Sequence, residues 1–173
     1  GQEATFGYLS GRIGRGERWI WIHAASLGEF EQGRPLIEMI KEREPSAKIL
    51  LTFFSPSGYE VRKDYAKVDA VCYLPFDTPS LSRRFLDIVN PSMAIFIKYE
   101  FWGNYLTGLR RRGVPTYLVS AIFRPGQSFF SWWGGWFRKM LRCFTKIYVQ
   151  DCASVDLLAS IGIHNVDITG DTR

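Results

Sequence analysis

Ser26 and Glu29 stand three residues apart just after a short apolar run. That spacing has two chemical readings. A hydroxyl with Glu three residues later is a capping box, in which Ser26 caps a helix and Glu29 reaches back to the Ser26 backbone N–H. The same placement puts a carboxylate in the first helical turn, where the helix dipole favours the ionised form. An ionised carboxylate at an open rim could take a proton from a substrate hydroxyl. Spacing alone favours the plain cap.

Other polar groups recur just after apolar runs. Ser55-Pro56-Ser57-Gly58 offers hydroxyls and backbone amides at a helix start, suited to a phosphate or sugar and equally to capping. Asp77 or Thr78 is placed to cap the helix that follows. Lys98-Tyr99-Glu100-Phe101-Trp102-Gly103-Asn104 brings a second acid, Glu100, and a lysine. Whether Glu29, Glu100 and Lys98 converge is beyond what periodicity shows. The absence of a G-x-G-x-x-G run weakens a dinucleotide-binding reading.

The elements between these groups alternate. Strands are expected at Trp19–Ala24, Lys48–Phe54, Ala70–Leu74, Met93–Ile97, Thr116–Val119, Ile147–Val149 and Val166–Thr169. Helices are expected after Ser26 (Leu36, Ile37 and Ile40 on one face, ending near Pro45), at Ser57–Tyr65, and at Thr78–Val89. Further helices are expected at Phe101–Arg112, closed by Gly113, at Phe129–Cys143 despite two glycines, and at Ala153–Ser160. Alternation of this kind predicts an α/β fold, a Rossmann-like parallel sheet with helices on both faces. Ligands of such sheets bind at the carboxyl ends of the strands, where the polar loops lie.

A length of 173 residues suits one domain, and 46% hydrophobic with 23% charged residues is an ordinary globular balance. No run approaches the ~20 apolar residues that span a bilayer. Cys72, Cys143 and Cys152 lack metal-ligand spacing, and an odd count argues against a disulfide framework; they read as reduced, buried cysteines. His23 and His164 are isolated and read as structural, His23 less surely because of its place at the rim. No metal site is expected. The net charge of +5 is unevenly spread: no Asp or Glu lies between Phe101 and Gln150, while Arg110, Arg111, Arg112, Arg124, Arg138, Lys139, Arg142 and Lys146 do. The aromatic run Phe129–Phe137 sits among them. Cations beside clustered aromatics suit an anionic, partly apolar partner such as a membrane surface. A solvated basic face beside core aromatics is the plainer alternative. No nucleic-acid motif is present.

Taken together, the loops resemble one family, the 3-deoxy-D-manno-octulosonic acid (Kdo) transferases acting on lipid A. His23 to Glu29 resembles its H-S/A-x-S-x-G-E, and Thr52 to Glu60 its T-x-T-P-T-G-x-E. Tyr73 to Pro79, followed by Arg84-Phe85-Leu86, resembles its Y-L-P-x-D-x-P and R-F-L. Tyr99 to Asn104 resembles the end of E-T-E-L-W-P-N, and Val166 to Gly170 the V-T-G strand closing its N-terminal domain. Departures are Lys98 for the first Glu of E-T-E-L-W-P-N, Gly103 for its Pro, and Ser120-Ala121-Ile122-Phe123-Arg124 for N-A-R-L-S. The closing G-x-x-K is met only by Arg173.

The resemblance implies the N-terminal half of a GT-B glycosyltransferase, with residues 1–173 the acceptor-binding domain. Gly11-Arg12 resembles the end of a membrane-anchoring helix, so a fragment without its anchor and its C-terminal donor domain is expected. It further implies inverting transfer of Kdo from CMP-Kdo to a lipid A precursor in lipopolysaccharide biosynthesis, without metal or cofactor, on the cytoplasmic face of the bacterial inner membrane. Glu29 matches the family's base, and Glu100 is the second acid expected to act with it. Ser26, Gly28, Ser55, Ser57, Gly58 and Asn104 are the expected acceptor contacts. CMP-Kdo would be held by the missing domain. Two other readings stay open: half of another nucleotide-sugar enzyme, and a non-catalytic module for anionic membrane surfaces.

Overall fold

Parallel strands cannot be joined by tight turns, and here each crossover carries a helix or a short helical segment. The computed structural model describes residues 2–14 and 16–171. Its strands are β1 (Trp19–His23), β2 (Lys48–Phe53), β3 (Ala70–Tyr73), β4 (Met93–Ile97), β5 (Thr116–Ala121), β6 (Lys146–Val149) and β7 (Val166–Ile168). The helices are α1 (Gln2–Arg12), α2 (Leu27–Arg43), α3 (Pro56–Arg62), α4 (Pro79–Val89), α5 (Gly103–Arg111), α6 (Gly135–Leu141) and α7 (Cys152–Ser160). All seven strands are parallel in one sheet, ordered β3-β2-β1-β4-β5-β6-β7. The central strands are near-continuous apolar runs because both faces are covered.

Two cores result. Trp19, Trp21, Phe85, Phe96, Tyr105 and Leu118 belong to the larger, under α1, α4, α5, α6 and α7. Ile22, Phe30, Ile37, Leu51 and Ile97 belong to the smaller, under α2 and α3. Helices thus lie on both faces, as expected, though unequally. Beside α2, a groove of about 490 Å³ lined by Leu36, Met39, Ile95, Tyr117, Val119 and Tyr148 runs along the sheet.

Three differences from expectation have physical causes. Residues 2–12 form a packed helix that periodicity had not flagged: Phe6 and Leu9 are buried, Arg84 stacks over Phe6, and Arg12 Nε donates to the Asp69 carbonyl at 2.8 Å. The expected helix Phe129–Cys143 is broken into a 3₁₀ turn, Ser128–Phe130, and α6. Between them the chain turns so tightly that a Cβ on Gly134 would lie 2.0 Å from the Ser128 carbonyl oxygen. Of the cysteines only Cys72 is buried; Cys143 is half-buried and Cys152 exposed. Other boundaries move by a few residues, as helix ends do. Arg173 lies outside the described residues.

The strand order reverses direction at β1 and β4, which pair directly with His23 opposite Phe96. The loops leaving β1 and β4 therefore diverge, to α2 on one face and α5 on the other. Such a reversal opens a crevice at the carboxyl edge.

Candidate functional site

The crevice at the β1/β4 reversal is where the two acids meet. Ser26 caps α2: its backbone is extended and its Oγ accepts the Glu29 N–H at 3.5 Å. Glu29 reaches back past it, and its Oε2 accepts the Ala25 N–H at 2.6 Å. The cap reading is thus right in outline. The expectation that the dipole keeps Glu29 ionised is not met. Burial, and after it the nearby Glu100 charge, push its carboxyl up to about 7. The Ala25 and Ser26 amides and the Lys98 charge pull the other way without prevailing. Desolvation here outweighs dipole and hydrogen bonds. A carboxyl that titrates near neutrality can exchange protons with substrate under ordinary conditions.

Glu100 is buried and held on two sides. Its Oε2 faces His23 Nε2 at 3.0 Å and accepts the Trp102 indole N–H. His23 is itself fully buried, with Nδ1 at 2.8 Å from Thr52 Oγ1 and 3.1 Å from the Thr52 carbonyl. Thr52 Oγ1 also accepts the Trp21 indole N–H at 2.8 Å. A chain of polar contacts therefore runs Trp21–Thr52–His23–Glu100–Trp102 across β2, β1 and the loop after β4. Every buried heteroatom in it has a partner, which fixes Glu100 in position. The structure thus brings Glu29 and Glu100 together. His23 and Thr52 were not picked out as site residues in the sequence, because their pairing joins positions 29 to 77 residues apart; Trp102 was missed although it stands only two residues from its partner Glu100.

Lys98 sits beside these acids with φ of +63°, a left-handed conformation uncommon for a non-glycine residue. Its N–H still bonds the Val119 carbonyl at 2.8 Å. Strained backbone of this kind clusters at functional sites.

The remaining expected contacts have mixed roles. Gly28 is exposed, and a Cβ there would meet nothing within 4 Å, leaving open access beside Glu29. Ser55 caps α3, its Oγ accepting the Ser57 N–H at 3.3 Å and lying 3.0 Å from Ser57 Oγ; both hydroxyls sit on the rim. The Ser55 N–H donates to the Ala25 carbonyl at 2.7 Å, tying the β1 and β2 loops together. Gly58 is buried against Phe53, whose ring would stand 2.3 Å from an added Cβ, so its evident role is packing. Asn104 donates its side-chain amide to the Asp77 carbonyl at 2.8 Å.

Thr78 caps α4, as the sequence allows. Asp77 instead caps α5: its carboxylate accepts the Asn104 N–H at 3.1 Å and the Tyr105 N–H at 3.2 Å. Trp102, at the α5 N-cap position, supplies no side-chain cap. Arg124 turns toward Asp151 at 3.1 Å. Phe54, Phe76 and Trp102 form an aromatic cluster next to Glu100, Phe54 lying 4.9 Å from Trp102 and 6.1 Å from Phe76.

The doubly wound parallel sheet, with its two acids at the switch point, is Rossmann-like, the fold of each half of a GT-B glycosyltransferase. The same fold is seen in UDP-GlcNAc 2-epimerase from Neisseria meningitidis bound to UDP-GlcNAc, with TM-score 0.65, 13% identity, 89% of this chain and 47% of that one. It is seen also in MurG from Acinetobacter baumannii, with TM-score 0.56, 8% identity, 79% of this chain and 42% of that one. The family model described as 3-Deoxy-D-manno-octulosonic-acid transferase (kdotransferase) matches residues 3–173, and the chain belongs to that glycosyltransferase family. Relatives called 3-deoxy-D-manno-octulosonic acid transferase include one from Bordetella pertussis, 29% identical over 89% of this chain and 37% of its own length. Another, from Rickettsia felis, is 30% identical over 89% of this chain and 33% of its own length. The chain thus spans about a third of the length of these relatives. Among the described residues, no helix is long and apolar enough to cross a membrane.

Proposed function

We propose that this chain is the acceptor-holding half of an inverting Kdo transferase, moving Kdo from CMP-Kdo to a lipid A precursor at the cytoplasmic face of the bacterial inner membrane. The observation that carries this reading is Glu29: an accessible carboxyl at the switch point, poised near neutrality beside the clamped Glu100.

In the proposed reaction an acceptor hydroxyl oxygen attacks the anomeric carbon of Kdo. The bond from that carbon to the CMP phosphate oxygen breaks, inverting the configuration, and CMP leaves with the bonding pair as a phosphate anion. The hydroxyl proton passes to Glu29 Oε1 or Oε2. Glu29 must be ionised beforehand, and burial, with the Glu100 charge adding to it, makes it a stronger base than an ordinary carboxylate. A positioned base is worth roughly 10²–10⁴-fold in rate. In this reading Ser26 and Gly28, after β1, and Ser55 and Ser57, after β2, contact the acceptor sugar. Binding of the CMP leaving group falls to the part of the protein outside this chain.

The test uses the full-length protein. Glu29→Ala is expected to abolish Kdo transfer to lipid A precursor while circular dichroism stays unchanged. Near-normal turnover in that variant would remove Glu29 as the base.

A further inference from the structure

Phe54 and Phe76 leave 41% and 56% of their surfaces exposed, in the loops that follow the buried strands β2 and β3. Large apolar groups exposed side by side mark a binding surface. The two rings join that of half-buried Trp102, which follows β4. Phe54 lies 4.9 Å from Trp102 at 53° and 6.1 Å from Phe76 at 66°. Three strands thus each send one ring to the same stretch of the carboxyl edge. Phe54 and Phe76 fill x positions of T-x-T-P-T-G-x-E and Y-L-P-x-D-x-P, so those motifs do not themselves call for a ring at either place.

The rings are tied to both carboxyls. The Phe54 N–H donates to the Ala25 carbonyl at 3.3 Å, and the Ala25 N–H in turn holds Glu29. Trp102 donates its indole N–H to Glu100 and stands edge-on to His23 at 5.6 Å. The loop carrying Phe76 is fixed on its other side. There the Tyr105 hydroxyl donates to the Pro75 carbonyl at 2.9 Å, and Asp77 caps α5. Polar groups stand beside the rings: Glu29, Glu100, and the Ser55 and Ser57 hydroxyls next to Phe54 in the chain. An acyl chain laid on the rings would take water from these groups and give them no partner. A pyranose has a face of C–H bonds and an edge of hydroxyls, so it meets both kinds of group at once.

We propose that Phe54, Phe76 and Trp102 form a stacking platform for a pyranose ring of the acceptor, with the Ser55 and Ser57 hydroxyls meeting hydroxyls at the edge of that ring. The platform sets where along the rim the sugar settles, and so which of its hydroxyls Glu29 reaches. The inference deepens the Kdo transferase reading and rests on it for the identity of the sugar, but the stacking itself is testable without any transfer.

The experiment compares two double variants of the full-length protein, Phe54→Leu with Phe76→Leu and Phe54→Tyr with Phe76→Tyr. Leucine keeps an apolar side chain and removes the ring face, whereas tyrosine keeps the face. Trp102 is left in place, since its loss would also strip Glu100 of a donor. In steady-state Kdo transfer the leucine pair is expected to raise the acceptor KM about tenfold, with kcat and the CMP-Kdo KM changed less than about threefold. The tyrosine pair is expected to stay within about twofold of the parent. Each variant is first shown to keep the parent's urea midpoint. Phe76→Leu alone, at the more exposed ring, replaces the leucine pair if that pair is destabilised, with about a threefold rise expected. In parallel, saturation-transfer NMR with a deacylated glucosamine disaccharide and no CMP-Kdo is expected to show contact through the sugar C–H protons, lost in the leucine variant and kept in the tyrosine pair. The proposal is overturned if the leucine variant keeps the parent's acceptor KM or disaccharide signal, the result expected of rings that meet an acyl chain or nothing. It is overturned also if the CMP-Kdo KM rises instead, or if kcat falls at unchanged KM. The NMR needs no transfer, so disaccharide binding without Kdo transfer refutes only the catalytic reading. Normal transfer with no loss in the leucine variant refutes only the platform.

Discussion

At the residue scale, the Glu29 carboxyl answers to two neighbours of opposite charge. Glu100 raises its proton affinity and Lys98 lowers it. Glu100→Gln is therefore expected to move the Glu29 titration below about 7, and Lys98→Gln to move it higher. Carbon-13 NMR of labelled glutamate side chains reads both shifts, and parallel shifts in the two variants would refute the pairing. The same carboxyl affects stability. Its folded value lies above the ordinary 4.5, so the folded state holds the proton more tightly than the unfolded chain. The associated stability is present below about pH 4.5 and is lost as pH rises through about 7. Urea midpoints should thus decline over that window, and the decline should flatten in Glu29→Gln. Asp151, held low chiefly by the Ser154 hydroxyl, acts in the opposite direction at more acid pH. His23 is a positioning residue. Its removal in His23→Phe strands the buried Glu100 with the Trp102 donor alone, which should cost about 2–4 kcal/mol in urea unfolding.

At the element scale, α5 depends on a residue outside itself. Asp77 supplies its cap from the loop after β3, and no side chain at Trp102 replaces it. Asp77→Ala is expected to destabilise the domain by about 1–2 kcal/mol, with Asp77→Asn losing clearly less, as measured by denaturant unfolding. Because the Asp77 carboxylate holds the Asn104 and Tyr105 N–H groups, the alanine variant should also loosen amide-exchange protection in the first turn of α5. The packing of α3 on β2 leaves no room at Gly58. Gly58→Ala should cost about 1–3 kcal/mol through displacement of the Phe53 ring, even though this glycine resembles a ligand-binding position in sequence.

At the scale of the whole molecule, the rim is open on its Gly28 side. Gly28 faces open space, the Glu29 side of the crevice is uncovered, and the chain spans about a third of its relatives' length. No phosphate-cradling glycine loop follows β1. The 173-residue chain given CMP-Kdo and lipid A precursor is accordingly expected to show no Kdo transfer, while unfolding cooperatively on its own. Product detected by mass spectrometry would contradict this division of labour.

Alternation of apolar runs with amphipathic segments was enough to predict the parallel sheet, because buried parallel strands admit few other sequences. The order of the loop motifs, His23 to Glu29 and Thr52 to Glu60 above all, was enough to indicate the family by resemblance. Local spacing also settled the Ser26 cap, which involves only neighbours in the chain. What spacing could not reach was everything decided across the sheet: the His23–Glu100 contact over 77 residues, the Asp77 cap on α5, and the packing role of Gly58. The protonation of Glu29 belongs to the same class. Its helix position argues for an ionised group, and only the tertiary burial and the approach of Glu100 reverse that, since desolvation depends on what covers a carboxyl and not on its place in the chain.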